Sequence, residues 1–478
     1  MIVWGFFDGV LSTMVSLFFF LIVVATIVCL LLENRNPYKT LVWVLVLVFL
    51  PVIGLVLYFF FGQDRRKERL ISRKGFERLS KYPMMEFQVQ ESFKLSDTEH
   101  ELIHFFHRVN RALPFEGNSI QIYSDGYTML QSLLAAIRSA KHHIHLQFYI
   151  FEDDAVGRLV KDALMDKAHE GVEVRVLYDD VGCWKVSHGF FDEMYEAGVE
   201  IRGFLKVRFP RFTSKVNYRN HRKLVIVDGK TGFIGGMNLA ERYLRGVGWG
   251  IWRDVMMKVE GKGVYGLQTA FLTDWYATDH SLITSSVYFP KMENMGNTLM
   301  QVVTSDPVGQ WKDIMQGLLL GIASAKKYIY IQTPYLLPTE ATLLALKTSA
   351  LAGVDVCIMI PEQADARLVH WGTRSYLDEL MEAGVKIYLY QKGFLHSKLM
   401  VCDDCLATVG STNIDFRSFE QNFEVNAFLY DRASALQLKE IFLADQKDAK
   451  LLQRKAWRLR PWSQKVKESV IRLFAPLL

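Results

Sequence analysis

The chain has 478 residues, half of them hydrophobic, and a formal net charge of +5 at pH 7. This length leaves room for a membrane anchor and two sizeable lobes. The modest positive charge suits a surface that meets anionic lipid, and it lacks the strong basic excess that is typical of nucleic-acid binders.

Two long uncharged runs open the chain, at residues 10–32 and 40–61. Each is long enough to cross a hydrocarbon core of about 30 Å as a helix. Because only residues 33–39 separate the runs, we predict a two-helix transmembrane hairpin over residues 1–62. No basic segment precedes the first run, which disfavours a removable signal peptide. Basic residues outnumber acidic ones between residues 65 and 78, so the positive-inside rule places the rest of this multi-pass protein on the cytoplasmic side.

Residues 63–115 are polar and mixed in sequence, and they predict a partly helical linker lying near the membrane. Beyond the linker, we expect a first lobe over residues 116–295 and a second over residues 296–478. The chemistry of both lobes depends on one short sequence motif, here called the phrase, that occurs in each.

The first copy of the phrase is His221-x-Lys223, followed by an apolar run and Asp228. The run predicts a buried strand, so the histidine and the lysine project from the same face. Asp228 lies an odd number of residues away, where it caps a turn better than it reaches a substrate. The turn at Asp228-Gly229 predicts a hairpin, and counting back along the return strand brings Asn238 beside His221.

The second copy repeats each of these features, with His396, Lys398, Asp403 and Asn413 in the same places. Each half therefore offers an imidazole, an ammonium and an amide together. Such a cluster suits a phosphate ester, because lysine binds phosphoryl oxygens and histidine can attack phosphorus or carry protons near neutral pH. With two histidines, one can attack while the other protonates the leaving alcohol.

The flanking sequences repeat as well, which implies two similar α/β lobes. Ser139-Ala140-Lys141 recurs at residues 324–326, and Glu196-Ala197-Gly198-Val199 recurs at residues 382–385. The first half carries about eleven extra residues before its histidine. Their basic side chains indicate either an anionic-lipid contact or a solvated loop. These side chains are Lys206, Arg208, Arg211, Lys215 and Arg219.

A helical pattern near the end of the chain has an apolar face. Val466, Val470, Leu473, Phe474 and Leu477 share that face, with Lys465, Lys467 and Arg472 elsewhere. The pattern fits an interfacial helix and a terminal helix packed on the second lobe equally well.

The duplicated phrase resembles the HxKx4D signature of the phospholipase D superfamily, and both copies match it in full. The resemblance implies two phospholipase D-like lobes that share one active site containing His221, Lys223, Asp228, His396, Lys398 and Asp403, with Asn238 and Asn413 binding the phosphate. It also implies that each histidine is held by a carboxylate downstream of it, at positions matching Asp254 and Glu424, and that His221 is the nucleophile and His396 the acid and base.

Together with the N-terminal runs, these motifs resemble the bacterial cardiolipin synthases over the whole chain. The resemblance implies phosphatidyl transfer between two phosphatidylglycerol molecules, giving cardiolipin and glycerol through a phosphohistidine. A hydrolytic phospholipase D, or another phosphatidyltransferase of the superfamily, would use the same residues. We expect a protein of the bacterial cell membrane that needs no cofactor or metal and binds no nucleic acid. The lone Cys402-x-x-Cys405 pair predicts neither a zinc nor a redox site.

Overall fold

The structure is a computed structural model that describes residues 2–32, 37–62, 72–81, 83, 95–206 and 217–475. The chain divides into two compact units. One comprises residues 1–65 and 207–217, and the other comprises residues 66–206 and 218–478. Below, they are called the N-terminal unit and the catalytic unit.

The N-terminal unit is helical, with a π-helical turn at Tyr58–Gly62. Its α-helices are α1 (Ile2–Leu32), α2 (Pro37–Phe49) and α3 (Pro51–Leu57). Within the described residues, one helix is both long and apolar enough to cross a membrane, the segment Thr13–Leu32 of α1. The first predicted span is therefore present as a helix. The loop expected between the two runs falls mostly on residues 33–36, which lie outside the described residues.

The second predicted span is not a single crossing helix. The helix stops at Leu50, because the residue before Pro51 is excluded from the helical conformation and the proline lacks an N–H. The rings of Trp43 and Tyr58 nevertheless lie 5.5 Å apart, and a Cβ added at Gly54 would be 2.8 Å from the Val46 carbonyl oxygen. Residues eight apart in a straight helix are separated by about 12 Å along its axis, so α3 folds back on α2. The prediction of a second membrane-crossing helix over residues 40–61 is therefore not confirmed.

The catalytic unit is built on one large mixed sheet. Its strands, together with two short pairs beside it, are β1 (Phe115–Tyr123), β2 (His143–Phe148), β3 (Glu173–Asp179), β4 (Glu200–Phe204), β5 (Arg219–Asn220), β6 (Leu224–Val227), β7 (Thr231–Gly235), β8 (Ile251–Arg253), β9 (Met256–Glu260), β10 (Thr298–Ser305), β11 (Tyr328–Gln332), β12 (Leu336–Leu337), β13 (Asp355–Pro361), β14 (Lys386–Tyr390), β15 (Gly393–Leu395), β16 (Leu399–Cys402), β17 (Leu406–Gly410), β18 (Ile414–Asp415), β19 (Asn422–Leu429) and β20 (Ala449–Leu451).

Helices cover and connect these strands. They are α4 (Arg73–Leu79), α5 (Asp97–Asn110), α6 (Gly126–Ser139), α7 (Ala155–His169), α8 (His188–Glu196), α9 (Arg242–Arg245), α10 (Val264–Asp279), α11 (Asp313–Ser324), α12 (Glu340–Leu351), α13 (Arg367–Ser375), α14 (Leu377–Glu382), α15 (Phe416–Glu420), α16 (Arg432–Gln446), α17 (Arg454–Arg458) and α18 (Trp462–Arg472), with a 3₁₀ turn at Ser286–Tyr288. The mixed α/β fold expected from the sequence is confirmed.

Equivalent strands of the two halves follow one another in the same order on either side of the centre of the sheet. The strands β1 and β10 pair antiparallel at the centre. On one side follow β9, β7, β6, β2, β3 and β4, and on the other follow β19, β17, β16, β11, β13, β14 and β20. The two sides also share core, because Leu224 and Ile226 of β6 belong to the same buried cluster as Leu399 and Val401 of β16.

Each histidine motif runs into a hairpin, as the sequence predicts. The strands β6 and β7 pair antiparallel from Leu224 opposite Ile234 to Val227 opposite Thr231, and β16 pairs with β17 in the same way. Asp228 and Asp403 occupy the turns with positive φ angles of 54° and 52°. Aspartate tolerates this left-handed region better than most residues do.

The expected polar linker is partly core. In α5, which begins with a capping box at Ser96 and Glu99, Leu102 and Phe106 are buried. The Phe106 ring lies 4.5 Å from the Phe428 ring of β19. Residues 97–110 therefore belong to the catalytic unit, and the prediction of a linker up to residue 115 is wrong for this helix. The buried residues Leu102 and Phe106 are one helical turn apart, but most other residues of α5 are polar. The apolar pattern was therefore too sparse to predict a buried helix face from the sequence.

Candidate active site

The first histidine is held by a carboxylate from the other half of the sheet. The short strand β5 pairs in parallel with the start of β19, and the His221 N–H donates to the Phe423 carbonyl over 2.9 Å. This pairing sets the next residue, Glu424, against the imidazole. The Nδ1 atom of His221 lies 3.0 and 3.1 Å from the two carboxylate oxygens of Glu424.

The second histidine is held by the equivalent arrangement in the other half. The strand β15 pairs in parallel with β8, and the His396 N–H donates to the Arg253 carbonyl over 2.7 Å. Asp254 follows Arg253, and its Oδ2 lies 2.6 Å from Nδ1 of His396. The carboxylate partner of His396 thus lies upstream of it in the chain. The expectation of a downstream carboxylate for each histidine is wrong for His396, because strand pairing between the halves crosses the partners over.

This geometry fixes which ring nitrogen can react. In each imidazole the carboxylate faces Nδ1, so an Nδ1–H can donate to it and the Nε2 atom is left for chemistry. His221 and His396 are both buried, at 9% and 6% exposure. The site therefore presents two buried imidazoles with the same nitrogen available.

The lysines lie beside their histidines, as the spacing predicts. The Nζ of Lys223 donates to the His221 carbonyl over 2.6 Å, and that of Lys398 donates to the His396 carbonyl. The Nζ of Lys398 also lies 2.9 Å from Nδ1 of His396. Burial lowers the pKa of Lys398 to about 8, and burial also lowers the pKa of Lys223 well below its usual value.

The two histidine–carboxylate pairs differ electrostatically. Burial lowers the pKa of His221 to about 4, against the opposing charge of Glu424. Burial alone would raise the pKa of Glu424, but the charge and hydrogen bond of His221 hold it below its usual value. In the other pair, burial lowers the pKa of His396, and Lys398 lowers it further, while burial raises the pKa of Asp254 to about 6. At neutral pH, His221 is therefore a neutral imidazole beside an ionised carboxylate.

Small and hydroxyl side chains after each hairpin complete the carboxylate sites. A Cβ added at Gly236 would lie 2.2 Å from Oδ1 of Asp254, so the carboxylate occupies the space that a side chain would need. At the equivalent position of the other half, the Ser411 hydroxyl donates to Glu424, and Asn422 donates to the same carboxylate over 3.1 Å. The sequence shows the small-residue pairs, but it does not show what they contact.

The two asparagines are not equivalent. The Oδ1 of Asn238 accepts from the Ile150 N–H over 3.1 Å, and its Nδ2 donates to the Tyr243 hydroxyl over 2.6 Å. Both ends of this amide are engaged by the fold. The Oδ1 of Asn413 is buried and has no hydrogen-bond partner among the described residues. Their expected contact with phosphate remains a prediction.

The motif aspartates support the fold at a distance from the histidines. Asp228 accepts hydrogen bonds from the backbone N–H groups of Lys141, His142 and His143, and Asp403 accepts them from residues 326–328. Five residues of strand separate Asp228 from Lys223, which is about 16 Å. The placement of Asp228 and Asp403 in the catalytic centre is wrong, whereas the turn-capping role is present. On each side the first of these amides belongs to the lysine of the repeated Ser-Ala-Lys segment, and the other two belong to the residues that follow it.

One of the five basic residues predicted to contact anionic lipid, Arg219, is buried. The Arg219 side chain is 2% exposed and lies 3.5 Å from Asp179, so it cannot contact lipid. Arg208, Arg211 and Lys215 lie outside the described residues.

Aromatic side chains surround the histidines unequally. The Tyr149 ring lies 5.1 Å from the His221 ring in an edge-on arrangement. Around His396 lie Trp252, Phe394 and Tyr243, with ring centres at 5.5, 5.7 and 5.9 Å. Sequence reasoning missed all four, since they lie on separate strands, a loop and the helix α9, whose proximity depends on the tertiary fold. Among the described residues, no group of three or more His, Cys, Asp or Glu side chains could hold a metal ion.

Comparison with known proteins gives a family for this arrangement. A family model described as "Cardiolipin synthase, PLD-like domain" matches residues 133–274 and again residues 318–446. The major cardiolipin synthase ClsA of Bacillus subtilis (strain 168) is 40% identical over 98% of this chain and 99% of its own length. The chain belongs to the cardiolipin synthase family. Membership confirms the resemblance read from the motifs, and it makes the chain a phosphatidyltransferase of the phospholipase D superfamily.

Other relatives agree with this membership. A cardiolipin synthase of Halalkalibacterium halodurans is 39% identical over 99% of this chain and 95% of its own length. A second family model, described as "Phospholipase_D-nuclease N-terminal", matches residues 20–63. Among solved structures, phosphatidylserine synthase of Haemophilus influenzae Rd KW20 shares the fold at a TM-score of 0.60, with 15% identity, covering 79% of this chain and 98% of that one.

Proposed function

We propose that this member of the cardiolipin synthase family transfers a phosphatidyl group from one phosphatidylglycerol to another, giving cardiolipin and glycerol. The observation that carries the proposal is the crossed pairing of His221 with Glu424 and of His396 with Asp254. Each half supplies the carboxylate that the other half's histidine needs. Two lobes, residues 116–295 and 296–478, would then form one shared site.

In the first step, Nε2 of His221 attacks the phosphorus of the donor lipid. The bond from phosphorus to the glycerol oxygen breaks, and that oxygen takes the Nε2 proton of His396. His396 enters this step as an imidazolium, because the bound anionic phosphodiester opposes the lowering of its pKa by burial. His221 suits the attacking role because its neutral ring faces both oxygens of an ionised Glu424. His396 suits proton transfer because its Nδ1 contacts both the Asp254 carboxylate, whose pKa is raised by burial, and the Nζ of Lys398.

In the second step, the terminal hydroxyl of another phosphatidylglycerol gives its proton to His396 and attacks phosphorus. The phosphorus–nitrogen bond to His221 breaks, and cardiolipin leaves. The lysines Lys223 and Lys398, with Asn238 and Asn413, would stabilise the charge that grows on the phosphoryl oxygens. An anionic phosphodiester between the lysines favours their protonated forms and so opposes the effect of burial.

We further propose that residues 1–62 anchor the enzyme in the bacterial cell membrane, with α1 crossing it and the catalytic unit on the cytoplasmic side. The length and apolar character of Thr13–Leu32 support the crossing, and the basic residues that follow support the orientation.

The test is product analysis with purified protein and phosphatidylglycerol labelled in its acyl chains. The proposal expects labelled cardiolipin with one glycerol released per molecule formed, and it expects excess glycerol to drive cardiolipin back to phosphatidylglycerol, since both alcohols use the same site. Release of phosphatidic acid alone, unaffected by glycerol, would identify a hydrolytic phospholipase D instead.

A further inference from the structure

The C-terminal helix α18 is amphipathic, but its charged face packs against the protein and its apolar face is exposed. Glu468 is 1% exposed, and its carboxylate accepts hydrogen bonds from Arg460 at 2.9 and 2.7 Å and from Gln464 at 2.9 Å. The Arg472 guanidinium lies 4.3 Å from the centre of the Tyr376 ring. Arg472 also donates to the Ser375 carbonyl of α13 over 3.3 Å and to the Glu379 carboxylate of α14, and so attaches this face of the helix to α13 and α14.

The opposite face of α18 is an apolar stripe that no described residue covers. Trp462, Val466, Val470 and Leu473 fall within one narrow arc of the helix. Their exposed fractions are 78%, 37%, 47% and 78%. A helix that only packed on the catalytic unit would turn this stripe inward, because burying such side chains stabilises by about 1.5–3 kcal/mol each. The sequence pattern alone allows either orientation, and the structure has the stripe outward.

We propose that this stripe docks the catalytic unit on the surface of an anionic lipid bilayer. Charge favours that partner, because residues 454–472 contain seven Lys or Arg and a single Glu, which is buried. Four of the basic residues form ion pairs, namely Arg454, Arg458, Arg460 and Arg472. The excess positive charge therefore lies on Lys455, Lys465 and Lys467. Basic residues beside an apolar stripe, with an exposed tryptophan, are the features of a helix that lies in the plane of the interface with its apolar face about 5–10 Å deep. A second copy of this chain would bring these basic faces together and repel.

The stripe is connected to the active site through α13. That helix packs against α18 and begins two residues after Asp365, whose carboxylate accepts a hydrogen bond from the Tyr335 hydroxyl over 2.8 Å. The Tyr335 ring lies 6.3 Å from the Phe394 ring, which in turn lies 5.7 Å from His396. Docking through α18 would therefore set the approach to His396 against the membrane in which the substrate lies. The inference rests on the proposed function only for this purpose, since binding to lipid can be measured without turnover.

The first experiment measures where Trp462 lies in the full-length protein reconstituted into phosphatidylglycerol vesicles. Lipids brominated along the acyl chain quench tryptophan that reaches their depth, and subtracting the signal of a Trp462→Phe variant isolates this residue. We expect quenching that is strongest for bromines near the headgroup. Absence of quenching overturns the proposal, and a blue-shifted emission without quenching would assign the stripe to a second copy.

The second experiment places charge in the stripe with the double variant Val470→Glu and Leu473→Glu. Because both side chains are exposed, folding is unaffected, and cardiolipin formation from detergent-dispersed lipid should stay at the wild-type rate. On vesicles we expect about a tenfold loss, the equivalent of losing one buried apolar side chain. The control is Leu159→Glu on α7, which replaces a leucine that is 50% exposed. Equal activity on vesicles overturns the docking proposal, whereas quenching of Trp462 in a protein that makes no cardiolipin would refute the proposed function alone.

Discussion

Replacing Glu424 with glutamine tests the crossed pairing directly. In the native site the Glu424 carboxylate accepts hydrogen bonds from His221, Asn422 and Ser411. Asn422 donates to one carboxylate oxygen and Ser411 to the other, so a glutamine keeps only one of these donors on its single oxygen. Its NH₂ group replaces the second oxygen, 3.0 or 3.1 Å from Nδ1 of His221. The ring then loses the anionic acceptor that fixes the Nδ1–H tautomer, and a ring proton on Nε2 removes the nucleophilic lone pair. An imidazole held in the wrong tautomer costs about 10³- to 10⁴-fold in rate, or roughly 4–5.5 kcal/mol.

The assay should isolate attack by His221 from proton transfer by His396. A donor lipid with a nitrophenol headgroup does so, because nitrophenolate leaves without a proton. In rapid mixing, wild-type protein should show a burst of nitrophenol equal to the enzyme concentration. We expect Glu424→Gln to lose the burst, and Asp254→Asn to keep it while turnover of phosphatidylglycerol collapses.

Ser411→Ala is the matched control, since it removes one hydrogen bond from Glu424 but leaves the charge. It should cost about 1 kcal/mol, or roughly fivefold in the burst rate. A burst that survives Glu424→Gln and disappears in Asp254→Asn would refute the assignment of attack to His221 paired with Glu424. That outcome would mean either that His396 is the nucleophile or that each histidine depends on the carboxylate of its own half, and labelling of the attacking histidine separates the two.

Three further outcomes follow from the site. Gly236→Ser should abolish cardiolipin synthesis although serine occupies the equivalent position 411, because its Cβ would lie 2.2 Å from Oδ1 of Asp254; wild-type product formation would contradict this. Asp228→Asn should lower the free energy of unfolding by about 1–3 kcal/mol, because it weakens three backbone hydrogen bonds, and thermal unfolding in detergent measures this loss. The nitrophenol burst per folded molecule should stay near wild type. A lost burst at unchanged stability would show that Asp228 acts in the catalytic centre. Because burial lowers the pKa of Lys398 to about 8, its positive charge is present below that pH and lost above it, so kcat/KM should fall on the alkaline side near pH 8, and Lys398→Arg should move that limb upward; a limb that does not move belongs to another group.

The local parts of the site could be predicted from the sequence because they depend on neighbours in the chain. The alternation that puts His221 and Lys223 together and the Asp228-Gly229 turn are properties of one hairpin. The repeated flanks predicted similar halves. The second apolar run contains Pro51, which ends α2, but the consequence, the return of α3 onto α2, depends on the close approach that Gly54 permits.

The carboxylate partners could not be assigned from the sequence because the contacts span 203 residues for His221 and 142 for His396. Two short parallel strand pairs, β5 with β19 and β15 with β8, decide them. Similarly, the periodicity of α18 shows an apolar stripe but not which face packs. In the structure the polar face packs inward, where Glu468 is buried and paired with Arg460.

The central claim is that His221 of one half attacks phosphorus while His396 of the other moves the proton. The most direct measurement is to mix protein with the nitrophenol donor carrying a labelled phosphatidyl group, quench during turnover, and map the label on peptides. The account predicts label on His221, with more of it retained when His396 is replaced by alanine, because no base then activates the acceptor. Label on His396, or phosphatidic acid released with no labelled peptide, would contradict it.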